Sequence, residues 1–410
     1  MIAAVTTGGV IARPWRLLEA IWAVLGSACL VAFSLVPWRD AAQAIGRGTD
    51  VYLFLAGMML LAELARQEGL FDWLAAEAAA HANGSGERLF ALVFGVGTLV
   101  TVLLSNDATA VVLTPAVYAV ARTAKAEPLP YLFICAFIAN AASFALPISN
   151  PANLVVYGRH MPALSAWLAQ FAAPSVLAIG ATYTALRLTQ RRSLRQPLAR
   201  EFERPLPTRA GRLSAAGIVV TAIVLLSASA LGRPLGLPTF VAGALAVGIV
   251  LLFERRSPWK LFRHVSWSVL PLVAGLFVLV EGLARTGVIE RLSHLLQVSA
   301  ATSAPATIAG AGLVVALICN LMNNLPAGLI AGSAVAATAL PAQVTGALLI
   351  GVDLGPNFSI TGSLATILWL VALRREGEDI SAWRFLRIGA VVTFPALILA
   401  LGALLFEAQL

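Results

Sequence analysis

The sequence predicts an all-α polytopic membrane protein made of two inverted repeats, each with a re-entrant helical hairpin and a broken transmembrane helix. Three observations lead to this fold class. The chain is far more apolar than a soluble protein, polar residues interrupt several apolar segments near their centres, and the second half repeats the pattern of the first half.

The composition indicates a membrane protein. Of the 410 residues, 59% are hydrophobic and 12% are charged, whereas a soluble domain usually carries about 25% charged residues. The N-terminus lacks the short apolar region and cleavage site of a removable signal peptide, so the first apolar segment is expected to remain as a span. The net charge of +8 requires no nucleic acid partner, because basic loops facing an anionic lipid leaflet account for it.

Apolar segments close to the length that crosses a bilayer, about 20 residues in a helix, recur along the chain. Two stretches, 88–121 and 305–338, are interrupted by polar residues and are predicted to form re-entrant hairpins. Non-helical backbone at that depth must contact protein or a water-filled cavity. The predicted spans are 17–36, 50–66, 130–158, 164–187, 213–231, 237–254, 266–284, 340–373 and 384–406.

The distribution of Lys and Arg predicts the orientation. Basic residues concentrate in cytoplasmic loops, and most of the 28 fall on one side when the N-terminus is cytoplasmic. The odd number of spans then places the C-terminus outside. The densest basic cluster lies in 188–212, which is predicted to be a solvated linker between 1–187 and 213–410, or else a docking site for a cytoplasmic partner.

The two halves align in order and at a nearly constant offset. Segment 50–66 is predicted to run from outside to inside and its counterpart 266–284 in the opposite direction, with 213–231 as the extra crossing, so the repeats are inverted. Inverted repeats with helices broken near the midplane are typical of secondary transporters. The sequence has no Gly-x-x-x-x-Gly-Lys motif for ATP phosphates. The aligned segments are 54–74 with 272–292, 105–110 with 322–327, and 148–153 with 355–360, which places Asn150 opposite Asn357.

The hairpin tips contain residues that favour a helix start. Asn106 or Asp107 is predicted to cap the returning arm of the first hairpin, and Asn324 that of the second, with Pro326 in its first turn.

The two broken helices have similar starts. In 130–158, Asn150 precedes a proline, and in 340–373, Asn357 follows a Gly-Pro pair and is predicted to start the second half-helix. Four half-helix N-termini are therefore expected to meet near the midplane, each with free N–H groups and a partial positive charge. The alternative is that these residues only cap helices.

These interrupted segments resemble those of the ArsB-type arsenite efflux permeases of the ion transporter superfamily. The resemblance is carried by LLSNDATAVVLTPAV, ISNPANLV, NLMNNLPAGL and GVDLGPNFSITGSLATILW, and it covers nearly the whole chain. It implies export of arsenite or antimonite across the inner membrane, coupled to proton entry, by a permease that works alone or with a separate cytoplasmic ATPase. The superfamily also includes sodium-coupled carboxylate transporters and sodium–proton antiporters.

Arsenous acid is a small neutral molecule at physiological pH, so its site needs hydroxyl and amide partners. The interruptions contain no Lys or Arg, which disfavours an anionic substrate, although helix N-termini can bind carboxylates unaided. The candidate substrate-binding residues are Ser105, Asn106, Thr109, Ser149, Asn150, Asn153, Asn323, Asn324, Asn357, Ser359 and Thr361.

Proton coupling requires a side chain that changes charge within the cavity. Asp107 and Asp353 are the acids within the interruptions, and burial disfavours the charged form of a carboxyl. Asp107 is the first candidate proton carrier and Asp353 the second. The alternatives are a permanently ionised carboxylate that caps a helix, and a sodium site at Asp107.

The remaining chemically active residues are predicted to be structural. Glu63 and Glu281 occupy matching positions of the two repeats and are expected to anchor the hairpin bases or the interface, with a role in transport as the alternative. No metal or cofactor is expected, since the histidines have no metal-ligand spacing and the cysteines lie singly in apolar segments. The histidines are His81, His160, His264 and His294, and the cysteines are Cys29, Cys135 and Cys319.

Three functional hypotheses follow. The first is an arsenite–proton antiporter in the inner membrane, with arsenous acid or antimonite, protons and membrane lipid as its partners. The second is a sodium-coupled carboxylate symporter or a sodium–proton antiporter. The third is a channel-like subunit driven by a cytoplasmic ATPase.

Overall fold

The computed structural model describes residues 2–12, 18–199 and 206–407, which are helical and contain no β-strand. Six of the described helices are long and apolar enough to cross a membrane, or up to eight spans if each of two bent helix pairs counts as one. The predicted all-α polytopic class is confirmed.

The described residues of the first half form ten α-helices. A π-helical turn, Ala108–Leu113, separates α6 from α7. The helices are α1 Ile2–Ala12, α2 Glu19–Ala32, α3 Trp38–Arg47, α4 Thr49–Gln67, α5 Leu70–Ala82, α6 Gly86–Leu103, α7 Thr114–Thr123, α8 Leu129–Ala141, α9 Pro151–Tyr157 and α10 Leu164–Leu194.

Ten more α-helices lie in the described part of the second half. A 3₁₀ turn, Gly355–Phe358, follows α18. The helices are α11 Arg209–Ala230, α12 Gly236–Glu254, α13 Trp259–His264, α14 Val269–Ala284, α15 Val288–Thr302, α16 Ala304–Met322, α17 Asn324–Ala336, α18 Ala342–Leu354, α19 Leu364–Arg375 and α20 Ala382–Glu407.

Both hairpins form, α6 with α7 and α16 with α17. In the first hairpin the returning arm opens with the π-helical turn, because Pro115 has no N–H to continue the regular helical ladder. The Thr114 hydroxyl donates a 2.7 Å hydrogen bond to the carbonyl of Ala110 in this turn. In the second hairpin the chain reverses at Asn323, whose φ of 77° lies in the left-handed region. The two tips therefore reach the same topology by different backbone geometries.

The repeats are also visible in the helix boundaries. Gly69 and Gly287 precede α5 and α15 with φ values of 70° and 76°, a conformation that glycine adopts without strain. The N–H of Asn106 donates to the carbonyl of Ser149 at 3.1 Å, and in the second repeat the N–H of Asn324 donates to that of Gly362 at 2.9 Å. Each hairpin tip is thus tied to the loop of the broken helix in its own repeat.

One part of the sequence alignment is wrong. The half-helices α8 and α18 each have 13 residues, and the next half-helix begins after Asn150 in one repeat and after Ser363 in the other. Asn150 therefore corresponds to Ser363 and not to Asn357. By the same register Asn140, near the end of α8, corresponds to Asp353 near the end of α18.

The two repeats pack across each other at the interruptions. The half-helix α9 contacts α17 of the other repeat, and α19 contacts α7 and the π-helical turn. At Gly332 of α17, a Cβ atom would lie 2.6 Å from the carbonyl oxygen of Val155 in α9. The absence of a side chain at this position is what allows the two helices to approach so closely.

Several helix boundaries differ from the prediction. The span 17–36 is reduced to α2, which has 14 residues, and residues 13–17 lie outside the described ranges. Helix α10 continues to Leu194 and so enters the predicted linker 188–212, of which residues 200–205 are not described. The short helices α1, α5 and α13 were not predicted. Nor were α3 and α15, which are bent by 49° and 76° from α4 and α14.

A candidate transport site at the interrupted helices

A cavity of about 510 Å³ leads to the interrupted helices. Its lining includes Ser105 and Asp107 of the first hairpin tip, Pro151 at the start of α9 and Leu364 at the start of α19. Three half-helix N-termini therefore meet at one cavity, each with a partial positive charge. The fourth N-terminus, at Asn324, lies outside this lining.

Asp107 is half-buried and lines the cavity. Its backbone N–H donates to Oδ1 of Asn106 at 2.9 Å, but its carboxylate forms no hydrogen bond or ion pair with a described residue. The carboxyl group is therefore free to exchange a proton or to contact a ligand in the cavity.

Asp353 is fully buried, with 0% of its surface exposed. The Nδ2 of Asn150 donates a 2.8 Å hydrogen bond to its Oδ1, while Oδ2 accepts none from the described residues. The nearby Ser143 donates its hydroxyl proton to the carbonyl of Asn140 instead. Asn150 also caps α9, because its Oδ1 accepts from the N–H of Ala152 at 3.0 Å. One amide side chain thus connects the break of the first repeat to the acid of the second.

Asn140 is a functional candidate that the sequence reasoning missed. It is fully buried, and its Nδ2 donates to Oδ1 of Asn357 at 2.9 Å and to Oγ1 of Thr366 at 3.3 Å. Asn357 in turn donates to the carbonyl of Phe137 at 3.0 Å. The available signal was a single amide within an otherwise apolar half-helix, where an unpaired polar group would be costly.

Three candidates of the first repeat stabilise its non-helical backbone. The hydroxyls of Thr109 and Thr101 lie 2.8 Å apart between the hairpin arms. Ser149 donates to the carbonyl of Val102 at 2.9 Å, and Asn153 donates to backbone carbonyls of the preceding loop. These side chains replace the backbone hydrogen bonds that the interruptions remove.

The candidates of the second repeat form a separate cluster. Ser359 donates to Oδ1 of Asn320 at 2.6 Å, and Thr361 donates to the carbonyl of the same residue at 3.3 Å. Asn320 was not predicted. Asn323 and Asn324 are buried at the tip, and the Asn324 side chain makes no hydrogen bond with a described residue. The cluster ties the second hairpin to its own broken helix, away from the cavity.

The capping prediction is confirmed at Asn150 and wrong elsewhere, where Asn106 or Asp107, Asn324 and Asn357 were expected. In each case another polar residue of the same interruption has the required geometry. The observed caps are Ser105, which accepts from the N–H of Ala108 at 3.2 Å, Asn323 from Leu325 at 3.3 Å, and Ser363 from Thr366 at 3.0 Å.

The cavity also has charged residues at its mouth. Glu63 lines it and accepts hydrogen bonds of 2.8 and 2.6 Å from Arg66, and the exposed Arg375 follows on α19. At the end of α19, Arg374 donates to Asp379 of the following loop at 3.0 Å, and this bond holds the pKa of the Asp379 carboxyl below its ordinary value. The interruptions themselves lack basic residues, but a ligand entering the cavity passes two arginines.

A second polar cavity, also about 510 Å³, is lined by Asp40, Arg47, Glu281 and Arg285. Glu281 is the repeat counterpart of Glu63. It forms ion pairs with Arg47 and Arg285, and Arg285 also pairs with Asp40. These pairs connect α3 to the end of α14, so both matched glutamates hold an arginine at a cavity.

The three cysteines lie in different environments. Cys29 is exposed on α2, while Cys135 and Cys319 are buried in α8 and α16. The thiol of Cys319 lies 3.8 Å from the carbonyl of Val352. Among the described residues, no group of three or more His, Cys, Asp or Glu side chains is arranged to hold a metal ion.

Two inverted repeats whose interrupted helices meet at a shared cavity define a membrane transporter, not an enzyme. The profile of the family described as citrate transporter matches residues 5–354. The chain therefore belongs to the citrate transporter family, within the ion transporter superfamily.

The relatives agree with this assignment. The arsenical pump membrane protein of Yersinia enterocolitica is 30% identical over 368 residues, covering 85% of this chain and 84% of the relative. The protein of the same name from Escherichia coli K12 is 30% identical over 363 residues, with the same coverage. An uncharacterised transporter of Mycobacterium tuberculosis is 27% identical over 370 residues, or 86% of this chain and 84% of the relative.

The fold is similar to that of a solved transporter. The YdaH transporter of Alcanivorax borkumensis, whose crystal structure has an unusual topology, superposes with a TM-score of 0.59 at 14% sequence identity. The match covers 95% of this chain and 97% of that one. At this identity the likeness concerns the fold alone.

Proposed function

We propose that this transporter exports arsenous acid and antimonite from the cytoplasm in exchange for protons. The observation that carries the proposal is the cavity in which three half-helix N-termini meet the hydroxyl of Ser105 and the free carboxyl of Asp107. A neutral trihydroxy molecule can both donate to and accept from such groups, and it needs no fixed cation. The names of the arsenical pump relatives support the same substrate class.

In this proposal the hydroxyl of Ser105 binds the substrate hydroxyls. The half-helix N-termini act through their partial positive charge, because the N–H groups of Asp107, Ala108 and Ala152 already donate within the protein. The other candidates do not bind the substrate directly, because most of their donor groups already form hydrogen bonds with the protein. Thr109, Ser149 and Asn153 hold the first repeat's non-helical backbone, and Ser359 holds that of the second. The amide groups of the remaining candidates position the tips or connect the repeats.

Two carboxyl groups have different roles in proton coupling. Asp107 exchanges protons with the cavity because its carboxyl has no partner among the described residues, and it competes with or gates substrate binding. Asp353 is enclosed, and its Oδ2 accepts no hydrogen bond from the described residues. A charge there would lack compensation, so Asp353 carries a proton in this conformation.

The proposed orientation in the membrane is based on the loops rich in Lys and Arg, which usually face the cytoplasm. With the N-terminus cytoplasmic and the C-terminus outside, the mouth at Arg66 and Arg375 faces the cytoplasm of an inner membrane. The structure then represents an inward-open conformation. Cytoplasmic ATPase partners bind this same face if the permease uses one.

A second candidate function is sodium-coupled or proton-coupled transport of a carboxylate such as citrate. The family profile carries that description. Arg375 in the cavity lining would attract an anion, whereas Arg66 is paired with Glu63. The absence of basic residues at the interruptions weighs against it, since a fully enclosed tricarboxylate usually has a basic partner.

Reconstituted proteoliposomes distinguish the two functions. An imposed proton gradient should drive arsenite accumulation in the absence of sodium, and citrate should not compete. Protein-free liposomes provide the control for leak, and liposomes carrying the Asp107→Asn variant provide the matched control for proton coupling. An arsenite flux that does not depend on the pH gradient would overturn the proposal. Saturable transport of citrate without saturable transport of arsenite would also overturn it.

A further inference from the structure

Two buried contacts cross between the repeats at equivalent positions. Near the end of α8, Asn140 donates to Asn357 and Thr366 of the second repeat. Near the end of α18, Asp353 accepts from Asn150 of the first repeat. Because α8 and α18 are the same length and both end just before a break, Asn140 and Asp353 occupy equivalent positions of the two repeats, although their partners differ.

The contacts differ in one functional group. Asn140 has an amide and Asp353 has a carboxyl, and both side chains have 0% exposure. The amide is a fixed donor, and it satisfies Oδ1 of Asn357 without a change of charge. The carboxyl accepts at Oδ1 and has a second oxygen that can take or lose a proton. The same position is therefore neutral in one repeat and ionisable in the other.

We infer that Asn140 is a positioning residue, the neutral counterpart of Asp353, and that the difference between the two sets the number of protons carried in each cycle. This inference rests on the proposed proton-coupled transport. Each residue joins the half-helix of one repeat to the break of the other, so both contacts must rearrange when the repeats move. Only the contact of Asp353 changes its charge during that rearrangement.

The surroundings of Asp353 leave it as the ionisable member of the pair. Ser143 and Asn150 approach from the first repeat, and both are neutral. The thiol of Cys319 on α16 is the other titratable group facing it, and that thiol is directed to backbone carbonyls of α18. No Lys or Arg among the described residues forms an ion pair with Asp353.

The test moves the acid from one repeat to the other. Asp353→Asn keeps the bond from Asn150, because the amide oxygen can replace Oδ1, but it cannot change charge. It should lower proton-driven arsenite accumulation by roughly 100-fold, the scale of removing a proton-transfer group, while arsenite exchange without a gradient continues. The double variant Asn140→Asp/Asp353→Asn should recover at least about tenfold of that loss.

The number of protons moved with each substrate gives a readout that a purely structural role would not alter. A pH-sensitive dye inside the liposomes should report more protons per arsenite for Asn140→Asp alone than for the unmodified protein. A folded double variant that is as inactive as Asp353→Asn would overturn the inference. If the double variant loses its monodisperse elution profile, the test rests on Asn140→Asp alone. A number of protons per arsenite that is unchanged in this variant would then overturn the inference.

The same experiment separates this inference from the proposed substrate. If the unmodified protein accumulates citrate and not arsenite in a proton gradient, the proposed substrate is wrong. The proton count of each variant is then measured with citrate. A count that follows the number of acids at the two positions still supports the pairing of Asn140 with Asp353.

Discussion

Asn150 and Asp353 lie 203 positions apart in the sequence and share a buried hydrogen bond of 2.8 Å. Asn150 is also the N-cap of α9. The start of a half-helix in one repeat and the acid of the other are thus held by a single side chain. A change in the charge of Asp353 would act directly on the start of α9, whose first residue lines the cavity.

Substituting Asn150 separates its two roles. Asn150→Ser should keep the cap, since serine is an equally good N-cap and Ser363 fills this role in the other repeat. Its hydroxyl is too short to reach Asp353, so proton-driven transport should fall by up to about tenfold, the upper end of the cost of losing one neutral hydrogen bond. Asn150→Ala should lose the cap as well, at about 1 kcal/mol of stability.

Transport in proteoliposomes and thermal unfolding in detergent measure these two effects. The serine variant should unfold close to the temperature of the unmodified protein, and the alanine variant below it. Full transport by the folded serine variant would show that the bond to Asp353 is dispensable.

Asp107→Asn should leave folding intact, because the carboxylate contacts no described residue that would be left unpaired. Proton-driven arsenite transport should fall by roughly 100-fold, while exchange of arsenite across the membrane without a gradient continues. The flattened pH profile of the remaining flux is the diagnostic measurement. An unchanged pH profile would show that a group other than Asp107 carries the proton.

The sequence was informative where polar residues stand together in apolar segments. Ser105, Asn106 and Asp107 could only be accommodated by a break, so the first hairpin was predicted with nearly its observed bounds. The choice of cap was not predictable, since Ser, Asn and Asp are all good caps and backbone geometry selected Ser105.

Other features depend on tertiary structure. Asn140 is isolated among apolar neighbours, and its role follows only from its contact with Asn357 across the repeats. The arginines of the cavity mouth lie at the ends of α4 and α19, which are distant in sequence and meet only in the fold. The alignment paired Asn357 with Asn150 because each asparagine is adjacent to a proline. In the second repeat, however, this pair lies in the 3₁₀ turn and does not cap the half-helix.

Replacing Cys29, Cys135 and Cys319 by alanine should leave arsenite transport within about threefold of normal, because tight thiolate coordination would slow release and the site proposed here uses hydroxyl and amide groups. One cysteine is exposed and two are buried in different helices. Arsenite uptake by the triple variant is the measurement. Loss of saturable uptake, with normal folding, would point to arsenic coordination by thiols.

The close approach of α9 and α17 predicts a strong effect at Gly332. In Gly332→Ala the new Cβ would meet the carbonyl oxygen of Val155 at 2.6 Å. The helices must move apart, at a cost of about 1–3 kcal/mol, and transport should decrease with the melting temperature. Gly310→Ala in α16 is the matched control, since its Cβ meets no atom within 4 Å. Equal behaviour of the two variants would argue against tight packing between the repeats.

The cavity at Glu281 predicts how the opposite face opens. Glu281 pairs with Arg47 and Arg285, which fastens α3 to the end of α14, whereas its counterpart Glu63 pairs with Arg66 beside the open cavity. If the two cavities open in turn, the pairs of Glu281 stabilise the closed state of their face. Glu281→Gln should then raise the population of the opposite conformation by about fivefold, since exposed ion pairs contribute up to about 1 kcal/mol.

Thiol labelling measures this shift. In a cysteine-free background, a cysteine at Ser105 should react faster with a membrane-impermeant reagent from the outer side when Glu281→Gln is present, and more slowly from the inner side. Glu87→Gln is the control, because it removes a similar exposed pair with Arg187, away from both cavities. Faster labelling from both sides would indicate general loosening, and unchanged labelling would mean that the ion pairs do not control access. A reciprocal change, faster outside and slower inside, is expected only if the two faces open alternately around the same tip.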